Sequence, residues 1–224
     1  MGIYVIFIVI ALVSYLVQSS LKNKFERYSQ MPIAMTGKEV AEKMLHDNGI
    51  YDVRVISTPG MLTDHFNPTD KTVNLSEGVY SSNSVAAAAV AAHECGHAVQ
   101  HATKYGALQL RSSLVPIVSF ASLWISWVLL AGILLIEVMP QIMLAGIILF
   151  AMTTLFSIVT LPVEINASHR ALVWLDRSGI ATGRNNECAK DALKSAAYTY
   201  VVAALGSLAT LMYYVMIFMG RRRD

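Results

Sequence analysis

Residues Leu114–Leu161 read LVPIVSFASLWISWVLLAGILLIEVMPQIMLAGIILFAMTTLFSIVTL, and Glu137 is the one charge among them. Leu114–Ile136 and Ile142–Leu161 supply 23 and 20 uncharged residues. A helix needs about 20 apolar residues to cross about 30 Å of hydrocarbon. Both stretches qualify, and with only Glu137–Gln141 between them they form a helical hairpin. Two further uncharged stretches lie towards the chain ends. Val201–Met219 has 19 residues. Ile3–Val17 has 15, which becomes adequate when Met1, Gly2 and Gln18–Ser20 are included.

Composition agrees with four spans. Hydrophobic residues make up 55% and charged residues 14% of the 224, against about 45–50% and about 25% in soluble domains. Mean hydropathy is +0.51. The expectation is an integral membrane protein whose standing partner is lipid. Counts of 13 Gly, 6 Pro and 2 Cys exclude collagen, a low-complexity chain and a disulfide-dense scaffold. A net charge of +2 carries no nucleic-acid signal.

The first apolar segment lacks a positive n-region and an Ala-x-Ala cut, and Lys22, Lys24 and Arg27 follow it. It therefore reads as an uncleaved anchor rather than a signal peptide. Residues 18–113 hold nine Lys and Arg, residues 163–197 hold five, and the hairpin loop holds none. Positive charge collects on the cytoplasmic side, so both polar regions are expected in the cytosol, in a bacterial plasma membrane. The tail Arg221-Arg222-Arg223 runs against this assignment.

The polar stretch after the anchor carries signals of a folded region. Thr36 with Glu39 three residues on is a capping-box pattern. Val40, Ala41, Met44 and Leu45 then recur on one helical face before the stop signal Asn48-Gly49. Tyr51, Val53 and Val55 alternate with Asp52 and Arg54 as in a strand, and Thr58-Pro59-Gly60 breaks it. Thr72–Ser76 reads as a second strand. Val73, Asn74 and Leu75 in it are expected to form the edge that pairs with a substrate backbone. Ser84 caps an Ala-rich helix expected to reach Tyr105, with Gly106 as its stop.

That helix carries His93-Glu94-Cys95-Gly96-His97, an H-E-x-x-H match. Residues at i and i+4 share a helix face about 6 Å apart along the axis. Two imidazoles so placed converge on one zinc ion, and the intervening Glu moves the proton of the attacking water. A third protein ligand is needed. His101 is eight residues, or about 12 Å, from His93 and cannot join it on one ion. Glu164 stands at the exit of an apolar span, where an acidic residue is costly without a function or partner. His169 is the other donor nearby.

Three blocks in order carry a resemblance: Gly60-Met61-Leu62-Thr63-Asp64-His65-Phe66, Val90–Gln100 around the motif, and Thr160–Ala171 around Glu164. Together they resemble the bacterial YugP-like neutral zinc metallopeptidases over nearly the whole chain. The arrangement is also similar to the HtpX-type membrane peptidases, which place two spans between H-E-x-x-H and a Glu-x-x-Ala-Asp ligand motif. The resemblance implies one zinc per chain, with His93, His97 and Glu164 as ligands and Glu94 as general base. It also implies a protein or peptide substrate. Ser168 stands where HtpX-type enzymes have the Asp that orients a zinc histidine, so Ser168 or Asp64 is expected to do so here. Asp64, His65, His169 and Arg170 are further candidates for supporting the ligands or a developing oxyanion. Cys95 is read as packing.

The expected fold is mainly α: membrane-spanning helices with a small α+β zincin-like catalytic region. The expected divisions are an anchor (1–20), the catalytic region with the motif helix (21–113), the hairpin (114–162), the region with the third ligand (163–197) and a last span with a basic tail (198–224). The expected activity is a membrane-embedded zinc metalloendopeptidase of gluzincin type. Two rivals are an intramembrane site-2-type protease and a non-catalytic scaffold with a structural zinc.

Overall fold

The computed structural model describes residues 2–220, with side chains from residue 5 onward. The fold is mainly α with a small α+β region. Helix α1 spans Gly2–Ser29, α2 Gly37–Asp47, α3 Glu77–Tyr80, α4 Val85–Ala102, α5 Gly106–Leu134, α6 Pro140–Arg177 and α7 Gly183–Gly220. Strands β1 (Arg54–Thr58), β2 (His65–Asn67) and β3 (Thr72–Ser76) form one sheet. Four of the described helices, α1, α5, α6 and α7, are long and apolar enough to cross a membrane. The tail Arg221–Arg223 lies outside the described residues.

Packing divides the chain into two units. One comprises residues up to Tyr15, Gln109–Leu161 and Thr199 onward; the other comprises Leu16–Leu108 and Pro162–Tyr198. The first is built from apolar helices. Leu129, Met143 and Ile147 form its buried cluster, with Phe150, Leu211 and Tyr214 against it. Gly132 lets α5 and α6 meet: a Cβ there would stand 2.6 Å from the Met143 Cα. Close backbone approach at small residues is how helices associate in lipid, where apolar burial gives no preference for a neighbouring helix over a lipid tail. Large side chains such as Leu123, Trp127 and Leu134 remain exposed, as positions facing lipid do.

The second unit holds the sheet and the short helices. Thr36 and Glu39 form the capping box at the start of α2, so the local sequence decides where that helix begins. Val40, Ala41, Met44 and Leu45 are buried and pack in one cluster with Ala87, Ala88, Ala91, Ala92 and Cys95 of α4. The small residues of α4 make this close packing possible. The Ser84 side chain accepts from the Ala87 backbone N–H and caps α4. Lys24 and Tyr28 of α1 both reach the Asp191 carboxylate of α7, at 2.8 and 2.7 Å.

The sheet corrects one expectation. Its order is β1-β3-β2, with β3 parallel to β1 and antiparallel to β2. The strand of Val73, Asn74 and Leu75 is therefore central and fully buried, not an edge. It pairs with β1 along its whole length and with β2 over Thr72–Asn74, so it is not the open edge that a substrate backbone would need. The outer strands are β1 and β2. The first strand also begins later than the alternation suggests, at Arg54 rather than Tyr51. Its ladder opens where Arg54 meets Thr72, and Tyr51 lies exposed. Helix α4 ends at Ala102 rather than Tyr105. The Thr103, Lys104 and Tyr105 N–H groups close it onto Val99, His101 and Gln100 carbonyls, and Lys104 takes a left-handed φ of 52°. Gly106 opens α5 instead of stopping α4.

Candidate metal centre

His93 and His97 lie one turn apart on α4, and their rings stand nearly perpendicular, 83° apart with centroids at 4.8 Å. Helix α6 brings Glu164 against both. Glu164 Oε2 is 3.2 Å from His93 Nε2 and 3.6 Å from His97 Nε2. One donor atom from each of the three residues lies within 4.8 Å of the others. Two ligands at about 2.0–2.1 Å from a tetrahedral zinc are separated by about 3.3 Å. The two nitrogen–oxygen distances bracket that value, and imidazole and carboxylate are both zinc donors, so these three residues could hold a metal ion.

The approach of α6 to α4 is set by Gly96, inside the motif. A Cβ there would stand 2.6 Å from the Ala167 carbonyl oxygen. Glycine thus lets the backbone of α6 pass directly over the motif, one turn from Glu164.

The surroundings hold each group. Glu164 is 3% exposed and Glu94 9%. The Phe66 backbone N–H of β2 donates to Glu94 Oε2 at 3.1 Å. No hydrogen bond ties Glu94 Oε1 among the described residues, and that oxygen is free to engage water. Ser168 Oγ is 3.1 Å from His93 Nδ1. Gln100 Oε1 is 3.1 Å from His97 Nδ1. Burial disfavours the charged form of the His97 ring. The hydrogen bond that the ring donates to Glu164 and the nearby Glu94 and Glu164 charges outweigh it, and its pKa lies above the ordinary histidine value. Cys95 is buried completely and its thiol is pushed well up by burial.

Other expected residues stand apart from this donor group. Asp64 accepts from the Ser76 backbone N–H at 2.7 Å and from the Ser76 hydroxyl, anchoring the entry to β2. His65 is exposed, its Nδ1 2.7 Å from the Thr63 carbonyl. His169 is exposed and, with Arg170, lines a groove of about 380 Å³ between Met44, Val99 and Trp174. Arg170 Nε donates to Asn166 Oδ1 at 2.8 Å. Two contributors were missed by the sequence analysis. One is the Phe66 backbone, which no side-chain pattern announces. The other is Gln100, and its signal was available: a polar residue at i+3 from His97 and i+7 from His93, on the motif's own face of an apolar helix.

Comparison with known proteins adds to this geometry. Residues 3–219 match the model of the family described as "Putative neutral zinc metallopeptidase". The chain is 43% identical over 213 residues to "Putative membrane protease YugP" of Bacillus subtilis (strain 168), covering 94% of each chain. No solved structure matches.

Proposed function

The chain belongs to the neutral zinc metallopeptidase family, and from that membership we propose that it is a membrane-embedded metalloendopeptidase of gluzincin type. His93, His97 and Glu164 hold one zinc per chain, and Glu94 is the general base. The observation that carries this reading is the convergence of Glu164 Oε2 on both histidine Nε2 atoms. A bound zinc would supply Lewis acidity, acidifying water and polarising the scissile carbonyl. Glu94, steadied by the Phe66 N–H, accepts the proton of the attacking water and delivers it to the departing amine. Near-complete burial of the carboxylates keeps bulk water away and strengthens the electrostatics of both transfers.

The substrate is a protein or peptide, and the catalytic unit faces the cytosol. Helix α4 is not among the four helices suited to crossing a membrane, which favours hydrolysis outside the hydrocarbon over cleavage within a span. The free edge for an extended substrate is β2, whose Phe66 already reaches the base. The decisive test is Glu94→Gln in purified full-length protein. Zinc content should stay at the wild-type level while cleavage of an unfolded protein substrate falls about 10²–10⁴-fold. Undiminished turnover would remove Glu94 from the mechanism.

A further inference from the structure

We infer that Gln100 is the positioning residue of this centre: it fixes His97 as the tautomer protonated at Nδ1 and clamps to α4 the turn of α6 that carries Glu164. The inference rests on the proposed zinc site and deepens it.

An amide oxygen and nitrogen are ordinarily assigned only from their neighbours. Here the neighbours leave one assignment. Arginine is a donor only, so the Asn166 atom facing Arg170 Nε at 2.8 Å is the oxygen Oδ1. The Gln100 atom 3.0 Å from that oxygen must then be the amide nitrogen. The Val163 backbone carbonyl gives the same answer independently. It only accepts, and it lies 2.7 Å from the same Gln100 nitrogen. Both amide hydrogens are thus committed, and the remaining Gln100 atom, 3.1 Å from His97 Nδ1, is an acceptor. His97 must answer it with an Nδ1–H. Its Nε2, the atom 3.6 Å from Glu164 Oε2, is left bare with its lone pair for a metal.

The flipped amide would set its oxygen against two acceptors and its NH2 against the ring. Gln100 is 0% exposed, so no water relieves that conflict, and an unmet buried polar group is costly. The contrast with His93 is instructive. Its Nδ1 partner is the Ser168 hydroxyl, which rotates to suit either tautomer. Only the Gln100 side imposes one. Val163, held by the same amide, precedes Glu164 in sequence, so one side chain serves two of the three ligands. The chain Arg170–Asn166–Gln100–His97 also gives Arg170 a role: its guanidinium fixes the direction of the whole network.

The test has two readouts, both on the full chain in detergent. First, the nitrogens of His97 in metal-free, 15N-histidine-labelled wild type are observed by NMR as the pH is raised until the ring has lost its charge. Protonation at Nδ1 is expected; an Nε2–H ring would overturn the inference whatever any variant does. Second, zinc affinity is measured by chelator competition for wild type, Gln100→Met and Gln100→Glu. Met fills the volume without hydrogen bonds, and zinc affinity should fall about 10–100-fold, the usual effect of losing a ligand's orienting partner. Glu keeps the acceptor for Nδ1–H but turns an oxygen towards the Val163 and Asn166 acceptors, so the Nδ1–H signal should return while the clamp on α6, and with it part of the zinc affinity, stays lost. Equal affinity in wild type and Gln100→Met would overturn the role of Gln100 while leaving the zinc site intact. Failure of wild type itself to bind zinc would instead overturn the proposed function.

Discussion

At the scale of single residues, the centre is a set of groups with few alternatives. Two imidazoles one turn apart and a buried carboxylate share one small volume, and each imidazole is held by a partner of its own. Proton and metal compete there. The pKa of His97 is raised in the metal-free fold, so its stabilising contribution is complete below the unfolded histidine value of about 6.5. That contribution disappears as pH rises through the higher folded value. Zinc requires the neutral ring and displaces the proton. The increase in Tm on adding zinc should therefore be smallest near pH 5.5 and widen towards about pH 8. Melting curves with zinc and with a chelator across that range check this. A zinc effect that shrinks with rising pH would contradict it.

At the scale of elements, the site depends on α6 lying against α4. Gly96 is the point of closest approach. Gly96→Ala should push α6 away from the motif, costing about 1–3 kcal/mol of stability as overpacking does. Zinc should be bound more weakly, because Glu164 moves with the helix. Thermal unfolding and chelator competition measure the two effects. Elements governed by local chemistry were legible in the sequence: the Thr36–Glu39 box, the Ser84 cap and the strand Thr72–Ser76 all stand where their residues put them. The failures concern what lies beside an element. Nothing local in Val73-Asn74-Leu75 distinguishes a central strand from an edge. That depends on β2, three residues too short and too polar to show a period. The end of α4 was misjudged because Gly106 invites a stop reading, whereas non-glycine Lys104 takes the left-handed turn.

At the scale of the molecule, apolar length and composition made the membrane character plain. Four helices suited to crossing match the four uncharged stretches. The order of motif, hairpin and Glu164 was equally visible, since 71 residues separate His93 from its carboxylate partner and only a returning pair of spans fills them. What no linear pattern could show was how the groups meet, because Gln100, Val163 and Asn166 are neighbours only after α4 and α6 pack. Sidedness is open to direct test. Tyr51 is 77% exposed. Tyr51→Cys in a Cys188→Ser background should react in intact cells only with a membrane-permeant maleimide, and labelling by an impermeant one would place this unit outside. The central claim is the three-ligand zinc site itself. The most direct measurement is metal content per chain in purified wild type and Glu164→Ala, side by side. The account predicts about one zinc in wild type, as a single three-ligand site holds, and a clear loss in the variant; full retention of zinc by Glu164→Ala would contradict it.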